Sequence, residues 1–366
     1  MAILIYGDTL RSSALRHEVP ITIADPFLYL EINGTRAVTV SPLERPRIEE
    51  ISGLDVLGIE EVGWDELMNG GTPGWEGQLE VAARAVEHFG IQDAIVPPEF
   101  PVELADRLRR RGVTVRADHE EFARRRRAKS GSELEGIRRA QKAADAAMAR
   151  AAEMLRGGGA LTAEDVRNEM IAVCREHGAA LPADVVVGPG AQGALGHEPG
   201  SGPLPEGVPI IIDIWPLDDA SACWADMTRT FVMGEVPADI AEWHALTSEA
   251  LERTREAVRP GVNGKQIWEI ACDVYEAAGH PTQRSKAEGE LLRDGFFHGL
   301  GHGVGLDLHE DPGLGRAGDD LVAGDVITLE PGTYRQGYGG VRLEDLLLVT
   351  EDGSETLTDF AYDLKP

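Results

Sequence analysis

Short apolar runs alternate with turns in the first part of the chain, as far as about residue 122. The segments FLYLEING and TRAVTV predict a β-hairpin with Asn33-Gly34 at its turn, because this dipeptide suits a two-residue connection. DAIVPP and GVTVRA predict buried strands, and GWEGQLEVAARAVEHFG predicts a helix that ends at Gly90. No group of residues here indicates catalysis, so we interpret this part as a structural or dimerising domain.

The pattern changes after the basic run from Arg124 to Arg127, within FARRRRAKSGSELEGIRRA. A nucleic-acid contact and a solvated or salt-bridged linker are both compatible with four consecutive arginines, and the acidic composition of the chain favours the linker. The sequence therefore predicts a smaller N-terminal domain, 1–125, and a larger C-terminal domain, 126–366.

Two helices are predicted at the start of the second domain. Ser132 and Glu135 have the spacing of a capping box, and apolar residues follow at helical intervals as far as the glycine run that begins at Gly157. Thr162 can cap a second helix, which should end near Gly178.

The same scheme then recurs along the second domain. Strand-like runs ADVVVG, VPIIIDIW and WADMTRTFVMG follow the first pair of helices. PADIAEWHALTSEALERTREAV and GKQIWEIACDVYEAAG predict another pair of helices, and DVITLEPG and GVRLEDLLLVT predict strands after them. This domain is thus expected to contain two copies of helix, helix and strands.

Composition limits the possible classes of function. The chain has 63 acidic and 35 basic residues and a formal net charge of -28, which argues against nucleic-acid binding because phosphate backbones need a cationic surface. Three widely spaced cysteines argue against a disulfide framework and a thiolate zinc site. With no signal-peptide pattern and no apolar run of about 18 residues, we expect a cytoplasmic protein that makes no membrane contact.

Acidic residues end or interrupt the apolar strands of the second domain. A single acid at a strand end is usually a turn residue or an ion-pair partner, and Arg229 and Arg342 could neutralise two of them. Several buried carboxylates together are costly unless they bind a metal. Oxygen ligands with one imidazole favour Mn²⁺, Co²⁺ or Zn²⁺, and two such ions balance four carboxylates. The four acids are Asp213, Asp226, Glu330 and Glu344, and Asp345 follows directly after the last of them.

The segment HGLGHGVGLDLHE contains His298, His302 and His309 among four glycines. Each glycine would destabilise a helix by about 1 kcal/mol relative to alanine. A loop, or a strand pressed against another backbone, is therefore favoured. Any one of these histidines could be a satisfied core residue. Three together indicate a site where one imidazole binds metal and the others donate hydrogen bonds to a carbonyl or an oxyanion.

The motifs DMTRTF, HGLGHGVGLDLHE, ITLEPGTY and GVRLEDLLLV, in this order and after IIIDIW, resemble the creatinase/aminopeptidase P/prolidase group of metallopeptidases. The resemblance extends over roughly residues 130 to 360, whereas the first domain is similar only in size and position. It implies an α+β protein, with a C-terminal pita-bread fold that contains an internal pseudo-twofold repeat, preceded by a smaller α/β domain.

Matched residue by residue, the resemblance implies a dinuclear site. Asp226 and Glu344 would bridge the two ions, and Glu330 would also accept the proton of the catalytic water. The five implied ligands are Asp213, Asp226, His302, Glu330 and Glu344.

The same comparison implies roles for residues around the metals. His309 and His298 would touch the substrate or stabilise the tetrahedral intermediate, His197 would lie on the substrate side, and Arg342 would help to bind substrate or order the site. The sequence departs from the family where Asp-x-Gly usually stands: here it is Asp213-Ile214-Trp215, and a longer turn follows. Asp218 and Asp219, in that turn, are alternatives for the first ligand.

The resemblance implies a metallopeptidase with two divalent ions, Mn²⁺ first and Co²⁺ or Zn²⁺ as alternatives. The expected reaction is hydrolysis of the bond that precedes proline, in a small peptide with proline at its second position. Xaa-Pro dipeptidase and Xaa-Pro aminopeptidase both remain open. Members of the group often form dimers, so we expect a homodimer.

Three alternatives use the same fold. A methionine aminopeptidase fits the N-terminal domain and the motifs DMTRTF and GLDLHE less well. A creatinase-like hydrolase that works without metal, or a non-catalytic binding protein, need not keep the five ligands, and this chain keeps all five.

Overall fold

The computed structural model describes every residue from Met1 to Pro366 and contains two compact units, Met1–Arg126 and Arg127–Pro366. Each unit has its own hydrophobic core. None of the helices combines the length and the apolar character that a membrane span requires. That the units are separate domains divided at 125/126 stays a prediction.

The first unit is a six-stranded mixed sheet with helices, in the strand order β4-β3-β2-β1-β5-β6. Its strands are β1 (Ala2–Gly7), β2 (Phe27–Ile32), β3 (Thr35–Val40), β4 (Asp55–Gly58), β5 (Asp93–Val96) and β6 (Thr114–Ala117). Its helices are α1 (Ser13–Glu18), α2 (Arg45–Ile48), α3 (Trp64–Asn69), α4 (Gly74–His88) and α5 (Val102–Arg110), with a 3₁₀ turn at Ile59–Val62. The last helix, α6, is His119–Arg127.

The hairpin and strands predicted for this unit are confirmed, and the predicted helix GWEGQLEVAARAVEHFG is α4. β2 and β3 form the expected hairpin, and Asn33 and Gly34 both have positive φ, 51° and 84°, as a type I′ turn requires. The strands DAIVPP and GVTVRA are β5 and β6. The basic run forms ion pairs, as predicted, since Arg125 donates to Glu18 at 2.5 Å, but it is helical and forms the end of α6.

The second unit contains the two predicted pairs of helices. They are α7 (Gly131–Gly157) and α8 (Ala163–Glu176), then α9 (Ala238–Ala257) and α10 (Gly264–Ala277). Thr162 caps α8 as expected. The capping box of α7 is formed by Ser130 and Glu133 and not by Ser132 and Glu135. The two Ser–Glu pairs have the same spacing in the sequence. Ser130 is the N-cap because its backbone is extended, at φ -64° and ψ 161°.

Strands follow each pair of helices, so the order of elements repeats. After the first pair come β7 (Ala179–Ala180), β8 (Val186–Pro189), a 3₁₀ turn (Gly190–Ala194), β9 (Pro209–Ile214), β10 (Leu217–Asp218) and β11 (Met227–Val232). After the second come β12 (Asp294–Gly295), β13 (Gly301–Gly303), β14 (Glu310–Leu314), β15 (Val326–Leu329), β16 (Gly332–Arg335), β17 (Gly339–Arg342), β18 (Asp345–Val349) and β19 (Ser354–Thr356).

Strand register brings the predicted acids together. In the sheet β11-β9-β8, Asp213 lies opposite Thr228. Thr228 also forms an isolated antiparallel bridge with Glu344, which precedes β18 of the sheet β14-β13-β15-β18-β19. β13, which contains His302, pairs with β15 in that second sheet, and Glu330 follows β15 directly. The two sheets therefore meet where the acids stand.

Glycines in the histidine-rich segment allow close backbone packing. A Cβ atom on Gly301 would overlap the carbonyl of Thr328, and one on Gly303 would overlap the carbonyl of Asp311. The prediction of a strand pressed against neighbouring backbone, and not a helix, is confirmed.

Candidate metal centre

Three side chains from three elements converge at the junction of the sheets. Asp226 precedes β11, His302 is in β13 and Glu344 precedes β18. Their ligand atoms all lie within 4.8 Å of one another. The two acids are almost fully buried, at 5% and 2% exposure.

Asp213 and Glu330 complete the group of acids. All five predicted ligands line one cavity of about 340 Å³. Nε2 of His302 lies 3.8 Å from a carboxylate oxygen of Asp226 and 3.8 Å from one of Glu330. The structure thus brings the five side chains together, while their role as ligands stays a prediction.

The alternative first ligands lie elsewhere. Asp218 accepts hydrogen bonds from the Arg139 guanidinium at 2.9 and 2.8 Å and from Ser221 at 2.6 Å. Asp219 is exposed on the turn that follows. Neither residue lines the cavity.

Negative charge in the cavity is incompletely balanced within the chain. Arg342 donates to Oδ2 of Asp213 at 2.5 Å, but Oδ1 of Asp213 and Oδ1 of Asp226 are buried and receive no hydrogen bond. Burial, followed by repulsion from neighbouring acids, raises the pKa of both Asp226 and Glu344 well above the usual values. Burial also raises the pKa of Glu330 to about 7.

This donor set fits divalent cations. Carboxylate oxygens with one imidazole suit hard or borderline ions, and unpaired buried oxygens need positive charge or donors. Burial, with a smaller effect from His309, lowers the pKa of His302 to about 4, so its imidazole is neutral and has a lone pair to offer.

His298 occupies a different position from the one expected of a substrate contact. It is not among the residues that line the cavity. Nδ1 lies 2.7 Å from the Gly299 carbonyl, which can only accept, so this nitrogen carries the proton. Burial lowers the pKa of His298 to about 3, so the ring is neutral and Nε2 accepts the Tyr334 hydroxyl at 2.9 Å. With both nitrogens bonded, its contact with substrate stays a prediction.

Tyr334 is a site residue that the sequence analysis missed. It is buried in β16, and its hydroxyl oxygen accepts from Arg342 at 3.2 Å while it donates to His298. Tyr334 therefore joins His298 to the arginine that holds Asp213. The signal was present in the motif ITLEPGTY, where an aromatic residue follows the acid by four positions.

The outer part of the cavity is lined by His197 and His309, both exposed, which can face a substrate. The rings of His309 and His302 lie edge to face, with centroids 4.1 Å apart. Three further lining residues were not predicted: Asp184, Trp215 and Leu308. Trp215 is the residue at the position where the resemblance has glycine, and its side chain lines the cavity.

Comparisons with known proteins identify the family to which the chain is similar. The pattern of metallopeptidase family M24 matches residues 135–351. The probable dipeptidase PepE of Mycobacterium tuberculosis is 31% identical over 340 residues, which cover 92% of this chain and 84% of the relative. The Xaa-Pro dipeptidase of Pyrococcus furiosus is 33% identical over 233 residues, 63% of this chain and 62% of the relative.

Solved structures share the whole architecture. The prolidase from Pyrococcus horikoshii has a TM-score of 0.79 at 24% identity and covers 99% of this chain and 95% of its own. The X-Pro aminopeptidase from Thermotoga maritima has a TM-score of 0.80 at 22% identity, with 99% and 96% covered. These likenesses confirm the expected pita-bread fold.

The family pattern covers more than half of the chain, and a relative above 30% identity extends over nearly all of it. Membership implies divalent metal ions, in agreement with the donor set of the cavity. The chain is a metallopeptidase and belongs to family M24, the group of creatinase, aminopeptidase P and prolidase.

Proposed function

We propose that this enzyme hydrolyses the bond before proline in Xaa-Pro dipeptides with two divalent ions. The observation that carries the proposal is the single cavity shared by the five acidic and imidazole side chains, in which two buried carboxylate oxygens receive no hydrogen bond. Two relatives named as dipeptidases, one of them an Xaa-Pro dipeptidase, support the substrate class. The proposed ligands are Asp213, Asp226, His302, Glu330 and Glu344.

Two bound ions would lower the pKa of a water toward neutrality and polarise the scissile carbonyl. Asp226, His302 and Glu344, whose ligand atoms lie within 4.8 Å of one another, would hold metal at the compact part of the group. Arg342 and Thr228 hold two of these ligands in place: Arg342 donates to Asp213, and the Thr228 hydroxyl donates to Glu344 at 2.8 Å.

Glu330 is the proposed proton acceptor. Its carboxylate is the most accessible of the five ligands, with 21% of the side chain exposed, and it faces the cavity. It would take the proton of the attacking water and pass it to the leaving proline nitrogen, as a general base that becomes a general acid. His197 and His309 would donate hydrogen bonds to the carbonyl oxygen as negative charge develops there.

Proline recognition follows from the chemistry of its ring. The peptide nitrogen of proline has no N–H, so a site cannot identify it through a donor and must select the ring by shape. Trp215 and Leu308 are the apolar residues of the cavity that can supply such a surface.

A substrate panel tests the proposal. Metal-free protein is loaded with Mn²⁺, Co²⁺ or Zn²⁺ and given Xaa-Pro, Xaa-Pro-Yaa and a peptide that begins with Met-Ala. We expect proline release from Xaa-Pro and little cleavage of the other two. Faster cleavage of Xaa-Pro-Yaa would make the enzyme an aminopeptidase, and faster removal of methionine would make it a methionine aminopeptidase.

Glu330→Gln tests the catalytic role within the same assay. Because glutamine cannot accept the proton, turnover should fall by about 10²–10⁴-fold. The matched control is Asp218→Ala, which changes an acid outside the cavity and should keep both its metal and its turnover. Full activity of Glu330→Gln would remove the assignment, and metal loss in Asp218→Ala with retention in Asp213→Ala would reassign the first ligand.

Three finer points belong to the same proposal: Mn²⁺ as the native ion, a homodimer as the working form and the cytoplasm as the location. The metal series of the panel tests the first point, since Mn²⁺ should give the highest kcat/KM. Sedimentation of the purified protein tests the second, and fractionation of producing cells tests the third.

A further inference from the structure

The residues that follow the basic run are fixed to the second unit by buried ion pairs. Arg127 donates to both carboxylate oxygens of Asp325, at 2.9 and 2.6 Å. The Lys129 ammonium pairs with Oε1 of Glu310, and only 3% and 4% of these two side chains are exposed. Lys129 and Glu310 lie 181 positions apart, and neither lines the metal cavity. The proposed peptidase function therefore assigns this pair no role.

Glu310 stands directly after a loop that reaches the metal cavity. The loop, residues 304–309, joins β13 to β14, and its residues Leu308 and His309 line the cavity. The ring of His309 lies against that of His302, a proposed ligand, with centroids 4.1 Å apart. The conformation of this loop therefore decides where two residues of the cavity stand.

The Glu310 carboxylate holds this loop through both of its oxygens. Oε2 accepts the backbone N–H of Asp307, inside the loop, at 3.3 Å, while Oε1 pairs with the Lys129 ammonium, outside the loop. Loss of the cation would leave a buried carboxylate with a large desolvation cost, so the carboxylate would move toward water. The position of Glu310, and with it the bond to Asp307, thus depends on Lys129.

Gly305 shows how closely the ion pair packs on the loop. A Cβ atom at this position would lie 2.6 Å from Oε1 of Glu310 and 3.0 Å from the Lys129 ammonium nitrogen. Both distances are shorter than an ordinary van der Waals contact, so a side chain at 305 would displace the pair. The Gly305 carbonyl also accepts the backbone N–H of Trp224 at 2.8 Å. The loop, the carboxylate and the ammonium thus form one packed unit.

We propose that Lys129 and Glu310 are positioning residues that hold Leu308 and His309 at the metal cavity. They act through the loop 304–309 and do not touch the substrate. The catalytic consequence rests on the proposed function, in which His309 donates a hydrogen bond to the substrate carbonyl. A group misplaced by about 1 Å can lower a rate by about 10²-fold, so the loop must keep one conformation.

Hydrogen exchange of the metal-free full chain tests the pair without any assay of activity. Amides of residues 304–309 should exchange about tenfold faster in Lys129→Met than in the parent protein, because the acceptor of the Asp307 N–H loses its partner. Arg127→Met is the matched control, since it removes a buried ion pair of the same segment whose acid, Asp325, lies outside the loop. Unchanged exchange in Lys129→Met, or equal acceleration in both variants, would overturn the proposal.

Gly305→Ala tests the same packing where Lys129→Met fails to fold. The atoms nearest to the added methyl group are the far ends of two flexible side chains, so the backbone can keep its course while the ion pair is displaced. Exchange of 304–309 should again rise. A loop that stays as protected as in the parent protein would show that the pair does not hold it.

Kinetics with Xaa-Pro distinguish positioning from simple stabilisation of the fold. At a temperature where all variants are folded, Lys129→Met should lower kcat by about 10–100-fold and keep its metal. Arg127→Met should keep its kcat. His309→Ala, which removes the donor itself, should lower kcat by about 10²–10³-fold.

The double variant shows whether Lys129 acts through His309. In the His309→Ala background, Lys129→Met should lower kcat no further, because no donor is left to position. A second loss as large as in the parent background would refute the positioning role. If the parent protein does not cleave Xaa-Pro, the proposed function fails, and hydrogen exchange still decides whether the ion pair holds the loop.

Discussion

Glu344 and Asp345 are neighbours in the chain and equally buried, at 2% and 0% exposure, yet their surroundings are opposite. Asp345 receives the Arg229 guanidinium at 2.9 Å and the Tyr362 hydroxyl at 2.5 Å. Glu344 receives only the Thr228 hydroxyl, and burial, together with Glu330 and Asp213, raises its pKa. One acid is balanced by the fold, and the other is left with surplus charge.

The difference distinguishes a structural acid from a candidate ligand. A buried ion pair has its partner built into the chain, so its energy is settled when the protein folds. A group of buried acids without enough cations is unstable by itself and gains stability when cations bind. Sequence alone does not separate the two, since both acids lie in the segment VRLEDLLLV.

Loss of Arg229 should have the largest effect on stability. Its guanidinium is buried, and besides Asp345 it donates to the carbonyls of Glu344, Phe360 and Ala361 at 2.7–2.9 Å. Arg229→Met leaves the buried Asp345 with only the Tyr362 hydroxyl at 2.5 Å and the Arg255 guanidinium at 3.7 Å, so the free energy of unfolding should fall by about 3–5 kcal/mol. Urea unfolding measures this change.

The double variant Arg229→Met with Asp345→Leu is its control. Removal of the stranded carboxylate should recover part of the lost stability, although the carbonyl contacts of Arg229 stay lost. A single variant as stable as the parent protein would contradict the structural role of this pair.

Glu344→Gln and Asp345→Asn form the direct test of the comparison. In metal-free protein, Glu344→Gln should keep or raise stability because it removes surplus charge, whereas Asp345→Asn should lose about 1.5–3 kcal/mol because Arg229 loses its anion. Metal affinity should respond in the opposite way. Substitution of a residue that only supports a metal ligand weakens metal binding by about 10–100-fold. Glu344→Gln should weaken Mn²⁺ binding by more than this.

Calorimetric titration of metal into the metal-free variants measures this affinity. Asp345→Asn should bind Mn²⁺ with nearly the affinity of the parent protein. If the two variants lose affinity equally, the distinction between a structural acid and a ligand at these positions fails.

Removal of the metal should lower the free energy of unfolding by less than the loss of Arg229 does. Ligand that binds only the folded state adds about 2.7 kcal/mol when its free concentration is 100 times its Kd. A chelator should therefore lower the stability of the parent protein and of Asp345→Asn by a similar amount under that condition. Stability of Glu344→Gln should not depend on chelator, and a strong dependence there would show that the metal binds without this acid.

Where chemistry and spacing agreed, sequence reasoning selected residues that the structure places close together. Acids on apolar strands and histidines among glycines are unusual enough to be selected without coordinates, and all five predicted ligands line one cavity. The prediction went wrong where two patterns were degenerate. The pairs Ser130 with Glu133 and Ser132 with Glu135 have the same spacing, and only backbone conformation decides between them.

Contacts between distant strands account for most of what was missed. Tyr334 bonds to His298 across 36 positions, and Arg342 bonds to Asp213 across 129. No local pattern records such a pairing. The sequence offered Arg229 and Arg342 as partners for two unspecified acids, and the fold assigns each to one acid.

Glu80, on α4 of the first unit, extends the comparison to the other extreme. Arg111, Arg107 and Arg84 donate to it at 2.6, 2.7 and 3.1 Å, so this acid has more cations than it needs. Burial by itself would raise its pKa, but the hydrogen bonds from the three arginines lower it from the usual 4.5 to about 2. It is thus the reverse of Glu344.

The expected effect of Glu80→Gln is the smallest, about 1 kcal/mol or less at neutral pH, because solvent screens these arginines. A carboxyl whose pKa is lower in the folded state stabilises the protein fully above its unfolded pKa and loses this contribution as the pH falls through the folded value. The stability difference between parent and variant should therefore be constant above about pH 5 and vanish between pH 4.5 and about 2. Glu76→Gln, at an exposed acid 3.9 Å from Arg107, should show no such pH dependence. A difference that grows as the pH falls would mean that the arginines, and not the carboxylate, determine the stability of this cluster.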